Sequence, residues 1–300
     1  MNVCAIILDY FGAKKTETCL LSLTNQGIRT IYLLDNSGSR DISLDLTRAI
    51  DRVRSSGVDY NVEVLSAGKN LGFSRGVNFV LAHDRRSGSP HDHYLLLNND
   101  AVAGPSLVNG LIVTLKENPG AALVAPRTIS ISGSEEEGVW YHRYLGLLLS
   151  SPRNLSFYYL PGCCLFFHRE LVGEKGLFDE AFFMYGEDAE LGWRLAREGH
   201  RMVCAPDVLV RHEAGASSHK GGLFYEYHMV RGHILLALRT WRHPAEIPLI
   251  VSAKLLALLF RALIRCLRYR SLVPITAFFL ACFPLKRGRG FNDLPIHVWK

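Results

Sequence analysis

Three hundred residues, 48% hydrophobic and 21% charged, can bury a sizeable core and suit one large α/β domain of about 200 to 250 residues plus an appendage. The net charge of +6 is unevenly placed: residues 239–300 hold 11 Lys/Arg against 2 Asp/Glu, leaving the first 238 residues at −3. A basic reading surface interleaved with aromatics is therefore not expected on the folded part, and no nucleic-acid partner is expected.

The chain opens on Val3-Cys4-Ala5-Ile6-Ile7-Leu8, an apolar run with no basic start and too short for a secretory leader. It is expected to form a buried strand, and the protein is expected to stay on the cytoplasmic side. Seven cysteines, odd in number and without CxxC spacing, read as reduced core residues, not disulfides or a zinc site.

Apolar strands then alternate with helix-like stretches. Helix patterns at Lys14 to Gln26 and Ser43 to Ser55 separate the strand at Val3 to Leu8 from those at Thr30 to Leu34 and Asn61 to Leu65. A helix over Phe73 to His83, a polar loop and the strand Tyr94 to Leu97 follow. Continuous apolar strands of this kind belong to a parallel sheet covered on both faces, where ligands sit beyond the carboxyl ends of the strands. Those ends carry Asp9-Tyr10, Asp35-Asn36-Ser37 and Asn98-Asn99-Asp100, and the same residues would also serve simply as turn formers. Neither GxGxxG nor GxxxxGK[ST] is present, which disfavours a dinucleotide-dependent oxidoreductase and a P-loop enzyme.

Four ordered segments share the pattern of one family. Asn98-Asn99-Asp100 after a hydrophobic strand resembles the DxD-type motif of family 2 glycosyltransferases with the GT-A fold. Leu33 to Ser39 and Asn70 to Asn78 resemble its two donor-binding segments, and Gly186-Glu187-Asp188 through Arg194 is similar to its ED motif. The resemblance spans about Val3 to Arg239 and is strongest to rhamnosyltransferase-like members. Two departures stand out: Asn98 at the first DxD position and Asp9-Tyr10 where many relatives carry Tyr-Asn.

The resemblance implies a Rossmann-like mixed α/β sheet of GT-A type, with helices on both faces, over residues 1–240. It implies an inverting transfer of a sugar from a nucleotide-sugar donor, dTDP-rhamnose or a UDP-hexose, to a cell-surface glycan or lipid-linked acceptor. Asp188 would be the general base, with Glu187 beside it, and Asp9, Tyr10, Asp35, Asn70, Arg75, Asn98, Asn99 and Asp100 would bind the donor. Asp35 would take the imide N–H of a pyrimidine, and Arg75 would reach a phosphate. Asp100 and His212, the latter after the strand-like Met202 to Val210, would hold a divalent metal, Mg²⁺ or Mn²⁺. Gly162 and Trp193 would stand on the acceptor side, Gly162 letting a sugar approach the backbone. The alternatives are a non-catalytic nucleotide-sugar-binding protein, suggested by Asn98, and a nucleotidyltransferase on a similar fold.

The tail, 241–300, reads as a basic amphipathic helix. Lys254, Arg261, Arg265 and Arg268 are spaced 7, 4 and 3 apart within an otherwise apolar Ile247 to Leu267, so they share one face. With Lys286-Arg287-Gly288-Arg289 this stripe is expected to meet anionic headgroups while Leu, Ile and Phe face acyl chains, giving a peripheral association with the cytoplasmic side of the cell membrane.

Overall fold

A computed structural model describes residues 1–38, 42–213 and 221–283. Each apolar run forms the strand its pattern predicts. β1 (Val3–Asp9), α1 (Ala13–Ser22), β2 (Thr30–Asp35), α2 (Leu44–Ser55), β3 (Asn61–Ser66), α3 (Gly72–Arg86) and β4 (His93–Leu97) come first. Ser43 caps α2, its hydroxyl accepting from the Leu46 N–H. The chain continues through β5 (Ala101–Ala103), α4 (Leu107–Glu117), β6 (Ala121–Ser130), β7 (Glu135–Glu136), β8 (Val139–His142), β9 (Leu148–Leu149), β10 (Ser156–Tyr159) and β11 (Cys164–His168). It ends with α5 (Glu187–Arg197), β12 (Arg201–His212), α6 (Leu223–Arg239), α7 (Ile247–Tyr269) and α8 (Val273–Cys282).

The large sheet runs β3-β2-β1-β4-β11-β6-β12-β5, with β7 on β6, and a small second sheet runs β10-β8-β9. β1 to β4 pair in parallel, whereas β11 enters antiparallel between β4 and β6, which makes the sheet mixed. Alternate residues of the strands feed two cores. Ala5, Ile7, Leu33 and Leu95 pack with α1, α2 and α4 on one face. Cys4, Ile6, Leu34 and Leu96 pack with α3 and α5 on the other. Both faces are covered, which is why these strands read as unbroken apolar runs. All seven cysteines are free, four of them buried.

One buried carboxylate ties α3 to the sheet. Asp84 accepts from the hydroxyls of Tyr32 (3.0 Å) and Tyr94 (2.5 Å), from the His91 backbone (3.0 Å) and from His91 Nδ1 (2.6 Å). Burial pushes its pKa up, but the bonds from His91, Tyr94 and Tyr32 outweigh that and hold it down to about 2.

The last two helices correct the sequence expectation. The basic stripe on α7 exists, but three of its four members face the protein. Lys254 is fully buried and its Nζ donates to the Tyr141 hydroxyl at 2.9 Å. Arg261 Nη1 lies 3.1 Å from His233 Nε2, and Arg265 forms a two-pronged ion pair with the buried Glu226. A guanidinium only donates, so His233 accepts at Nε2 and its Nδ1 proton goes to the Tyr141 oxygen, 2.7 Å away. Arg268 alone of the four is exposed. The physical reason is that α6 and the small sheet offer buried polar partners, and an unpaired charge beside an apolar helix costs several kcal/mol. Leu256 (69% exposed), Phe260 (66%) and Leu267 (81%) are left on the outside. Leu258, Ala262, Phe278 and Ala281 share a core with Val230 of α6, so apolar packing crosses the boundary expected at residue 240. Lys286, Arg287 and Arg289 lie outside the described residues.

Replacing Asp84 with Ala removes four hydrogen bonds at one buried charge and is expected to destabilise the fold by about 3 to 5 kcal/mol, read as a drop in denaturant midpoint. Because its folded pKa is depressed, the Asp84 contribution is present above the unfolded value of about 3.9 and is lost as pH falls through about 2. The wild-type minus Asp84→Ala stability difference should therefore shrink over that acid range and stay flat above pH 5.

Candidate active site

A cleft of about 440 Å³ opens at the carboxyl ends of β1, β2 and β4. Parallel pairing sets Asp9 level with Asp35, so these strand ends finish on one edge. Antiparallel β11 begins where β4 ends: Cys164 faces Leu97, and the Asn98 N–H donates to the Cys163 carbonyl at 2.9 Å. The turn Pro161-Gly162-Cys163 thereby lies beside Asn98-Asn99-Asp100. β12 closes the other side, with His212 opposite Ala101 on β5 and the Glu213 N–H donating to the Asp100 carbonyl at 3.0 Å. Ala214 to Ser217, the rest of the loop that follows His212, lies outside the described residues, as does Ser39.

Of the residues expected at a site, Tyr10, Asn70, Asn98, Asn99, Asp100, Gly162, Glu187, Asp188 and His212 all line this cleft. His212 Nε2 is 3.1 Å from Asp100 Oδ1 and 3.5 Å from Asn98 Nδ2. Among the described residues no group of three or more His, Cys, Asp or Glu converges as a metal cage. The Asp100–His212 pair sets one carboxylate oxygen and one imidazole side by side at the wall of the cleft.

Four expected residues are not brought into the cleft. Asp9 sits behind its floor: Oδ1 accepts from Thr16 Oγ1 at 2.5 Å and from Asn99 Nδ2 at 3.1 Å, and the Gly12 N–H donates to the same carboxylate. It therefore orients Asn99 and the start of α1. Burial raises its pKa. Asp35 uses both oxygens on backbone N–H groups, from Ser37 (2.9 Å) and Ser43 (3.0 Å), which makes it a turn and helix-entry clasp. Arg75 stands two positions after Phe73, about 200° round the helix from that cleft residue, and its Nε donates to the Glu180 carbonyl at 3.2 Å. Trp193 is buried, its ring 5.1 Å from Phe157 and under the Arg143 guanidinium at 5.2 Å. Five residues along α5 from Asp188, it points into the core between α5 and the small sheet.

The structure adds two features to the residues expected at a site, the first of them within the strand-end cluster Asp35-Asn36-Ser37. Asn36 joins the donor side of the cleft, accepting from the Leu71 N–H at 2.8 Å and donating to the Gly72 carbonyl at 3.1 Å. Gly72 is left-handed at φ +73° while the neighbouring Phe73 N–H donates to the Phe183 carbonyl at 2.7 Å, so a residue without a side chain is needed there. The second feature is an apolar wall of Phe183, Met184, Tyr185, Phe224, Tyr225 and Met229, from the segment before α5 and from α6. No local pattern flags it, because it joins parts of the chain some forty residues apart.

Glu187 and Asp188 open α5 behind the left-handed Gly186, at φ +99°. Asp188 accepts from the Gly162 N–H at 3.1 Å and the Ala189 N–H at 2.8 Å. A Cβ on Gly162 would meet only ordinary contacts, so its use to Asp188 is the N–H itself. Glu187 Oε2 is buried with no hydrogen-bond partner among the described residues. Burial, and then the Asp188 charge, push Glu187 up to about 8; burial also raises Asp188, against the opposing backbone bonds from Gly162 and Ala189. Of the pair, Glu187 is the acid more readily kept protonated and Asp188 the one that carries the charge, because among the described residues Asp188 accepts from the Gly162 and Ala189 N–H groups while Glu187 keeps one buried oxygen without a partner. A partly buried carboxylate poised in this way suits proton abstraction from a hydroxyl.

The family model described as glycosyltransferase like family 2 matches residues 31–224. The N-acetylglucosaminyl-diphospho-decaprenol L-rhamnosyltransferase of two Mycobacterium tuberculosis strains, CDC 1551 / Oshkosh and H37Rv, is 28% identical over 245 residues, covering 71% of this chain and 80% of that protein. Among solved structures, the mannosyltransferase PcManGT from Pyrobaculum calidifontis, in complex with GDP-Man and Mn²⁺, superposes with a TM-score of 0.56 at 15% identity over 94% of this chain and 86% of that one. GalNAc-T7 with UDP, GalNAc and Mn²⁺ superposes at 0.55 with 15% identity, over 77% and 47%. These two likenesses establish the fold, a GT-A arrangement.

Replacing Asp188 with Asn should lower the catalytic rate by about 10² to 10⁴ with donor affinity nearly unchanged, whereas Glu187→Gln, which mimics the protonated acid, should cost less than about tenfold. The base must be ionised, so the rate should fall as pH drops through the raised Asp188 pKa, placing the acid limb above the usual aspartate range near 3.9. A profile flat down to pH 4 would remove Asp188 from this role.

Proposed function

The chain belongs to glycosyltransferase-like family 2, and from that premise we propose that it transfers a sugar, with inversion, from dTDP-rhamnose or a UDP-hexose to a lipid-linked precursor of a cell-surface glycan. The observation that carries the reading is the convergence, in one cleft, of Asp188 with Asn98, Asn99, Asp100 and His212. The Mycobacterium tuberculosis relative, a rhamnosyltransferase acting on a diphospho-decaprenol sugar by its name, supports the donor and acceptor classes.

An acceptor hydroxyl held beside the Pro161-Gly162-Cys163 turn would attack the anomeric carbon in line while the bond to the diphosphate oxygen breaks. Its proton would pass to Asp188 Oδ2, kept in place by the Gly162 N–H. The nucleoside diphosphate leaves with the bonding electrons, and no covalent sugar–enzyme intermediate is needed. Asn99, fixed by Asp9 and Thr16, would bear on the donor side of the cleft without a charge of its own.

Asp100 and His212 fit a divalent cation of the Mn²⁺ or Mg²⁺ type, since a carboxylate and an imidazole 3.1 Å apart leave the remaining positions to donor phosphate oxygens and water. Bound there, the cation would neutralise charge developing on the leaving diphosphate. Asn98 would add at most a neutral amide.

Membrane association through α7 and α8 completes the proposal, with the protein peripheral on the cytoplasmic side. The stretch Pro244–Tyr269 is long and apolar enough, by length and composition, to cross a membrane. Crossing would require Lys254, Arg261 and Arg265 to leave their partners on the domain, so lying along the interface is favoured. The exposed apolar face supports this reading, in place of the headgroup-facing stripe expected from spacing.

Two measurements test it. A donor screen in Mn²⁺ should release nucleoside diphosphate only with the true donor; excess EDTA should abolish this, and Asp100→Ala should do the same while leaving the fold intact. Full activity in EDTA would remove the metal, and release of pyrophosphate in place of nucleoside diphosphate would point to a nucleotidyltransferase. Replacing Leu256, Phe260 and Leu267 together with Gln, each side chain contributing about 1.5 to 3 kcal/mol when buried in lipid, should abolish co-flotation with vesicles. Undiminished flotation of that variant would exclude this face as the contact.

A further inference from the structure

We propose that Arg265 of α7 forms an anion subsite that holds the diphosphate of a lipid-linked acceptor, at the junction between the cleft and the exposed apolar face of the tail. The assignment rests on the transferase reading above and names the part of the acceptor that reading leaves unplaced.

Four observations converge on this side chain. Its Nε lies 3.0 and 2.9 Å from the two Glu226 oxygens and its Nη2 bonds the same carboxylate, which locks the guanidinium plane. The guanidinium carbon lies 5.6 Å from the Tyr225 ring centre and 5.0 Å from that of Tyr269, held by two aromatic rings. Tyr225 lines the cleft, and its ring is 5.5 Å from that of Tyr185, another lining residue, so Arg265 stands against the apolar wall of the cleft where that wall meets α7. Among the described residues Nη1 makes no hydrogen bond, which leaves one arm of the fork uncommitted.

Charge and surroundings fit an amphiphilic anion. Glu226 offsets only one of three cations, because Arg261 and Arg268 lie one helical turn to either side of Arg265. Leu263, Ile264 and Leu267, within two residues of Arg265, are exposed and apolar. A sugar in the cleft, an anionic diphosphate at Arg265 and a prenyl chain along α7 therefore match the order of parts in a sugar-diphosphate-lipid. A guanidinium already fixed in orientation loses little further entropy when its free arm meets a phosphate oxygen, and it stays charged at any working pH.

The test is binding, with no dependence on turnover. Full-length protein is titrated with phosphatidylcholine vesicles carrying a long-chain prenyl diphosphate, the matching prenyl alcohol, or phosphatidylglycerol at equal charge. Wild type should bind the diphosphate vesicles at least about tenfold tighter than the alcohol vesicles, the scale of one charge-assisted hydrogen bond. Arg265→Gln alone strands Glu226 in a buried site, so the deciding variant is the double change Glu226→Gln/Arg265→Gln, which removes both charges together. It should bring the diphosphate preference below about twofold while its melting temperature stays near wild type; Arg265→Lys should retain part of the preference. A wild type indifferent to the diphosphate, or a double variant that keeps the preference, overturns the proposal. Equal dependence on Arg265 for phosphatidylglycerol would assign the subsite to bulk lipid headgroups and overturn it as an acceptor site. Transfer kinetics give a separate check: the double variant should raise KM for a diphosphate-linked acceptor with kcat and donor KM unchanged, and leave a phosphate-free alkyl glycoside acceptor unaffected. Absence of transfer with every donor would sink the transferase reading, while the vesicle comparison would still decide the subsite.

Discussion

The antiparallel entry of β11 between β4 and β6 is the constraint on which the site depends. Running against its neighbours, β11 starts where β4 stops, and the bond from the Asn98 N–H to the Cys163 carbonyl fixes that meeting point. A parallel strand in the same slot would start at the far edge of the sheet, and the Pro161-Gly162-Cys163 turn would be a strand length away from Asn98-Asn99-Asp100. With the turn in place, Gly162 offers its N–H to Asp188, and the start of α5 is tied to the edge where the parallel strands end.

That single contact also divides the labour of two adjacent acids. Glu187 and Asp188 are neighbours at the same helix start, so the helix dipole acts on both. Asp188 has the Gly162 and Ala189 N–H groups aimed at its carboxylate, and Glu187 keeps, among the described residues, one buried oxygen without a hydrogen bond. Two like charges in one buried place cannot both ionise cheaply, and the backbone donors decide which of them does.

The tail obeys the same rule of partnered charge. A helix otherwise rich in Leu, Ile and Phe would normally bury its apolar face and show its charges to water. α7 buries Leu258 and Ala262 but turns Lys254, Arg261 and Arg265 toward the protein as well, because Tyr141, His233 and Glu226 form a polar seam on the flank of the domain. The seam registers the helix against α6, whose Tyr225 is part of the cleft wall. Where α7 lies is thereby linked to where an acceptor would lie.

The sequence by itself determined the strand and helix order of the first hundred residues, because strands buried on both faces must be apolar throughout and parallel strands need helices between them. It also determined which polar clusters reach the cleft edge, since Asn98-Asn99-Asp100 and Glu187-Asp188 sit directly at element ends, and the order of these motifs along the chain resembles that of the family. Tertiary structure alone decided the rest. Asp9 and Asp35 look like ligand-facing acids in sequence, yet backbone and side-chain donors from α1 and the α2 entry claim their oxygens. Arg75 and Trp193 belong to the right motifs but point elsewhere, because a helix turns by about 100° per residue and a motif names positions, not directions. The side of α7 that carries the charges was readable from spacing; which way that side faces was not, because it depends on Tyr141, His233 and Glu226, between 28 and 113 residues distant in sequence.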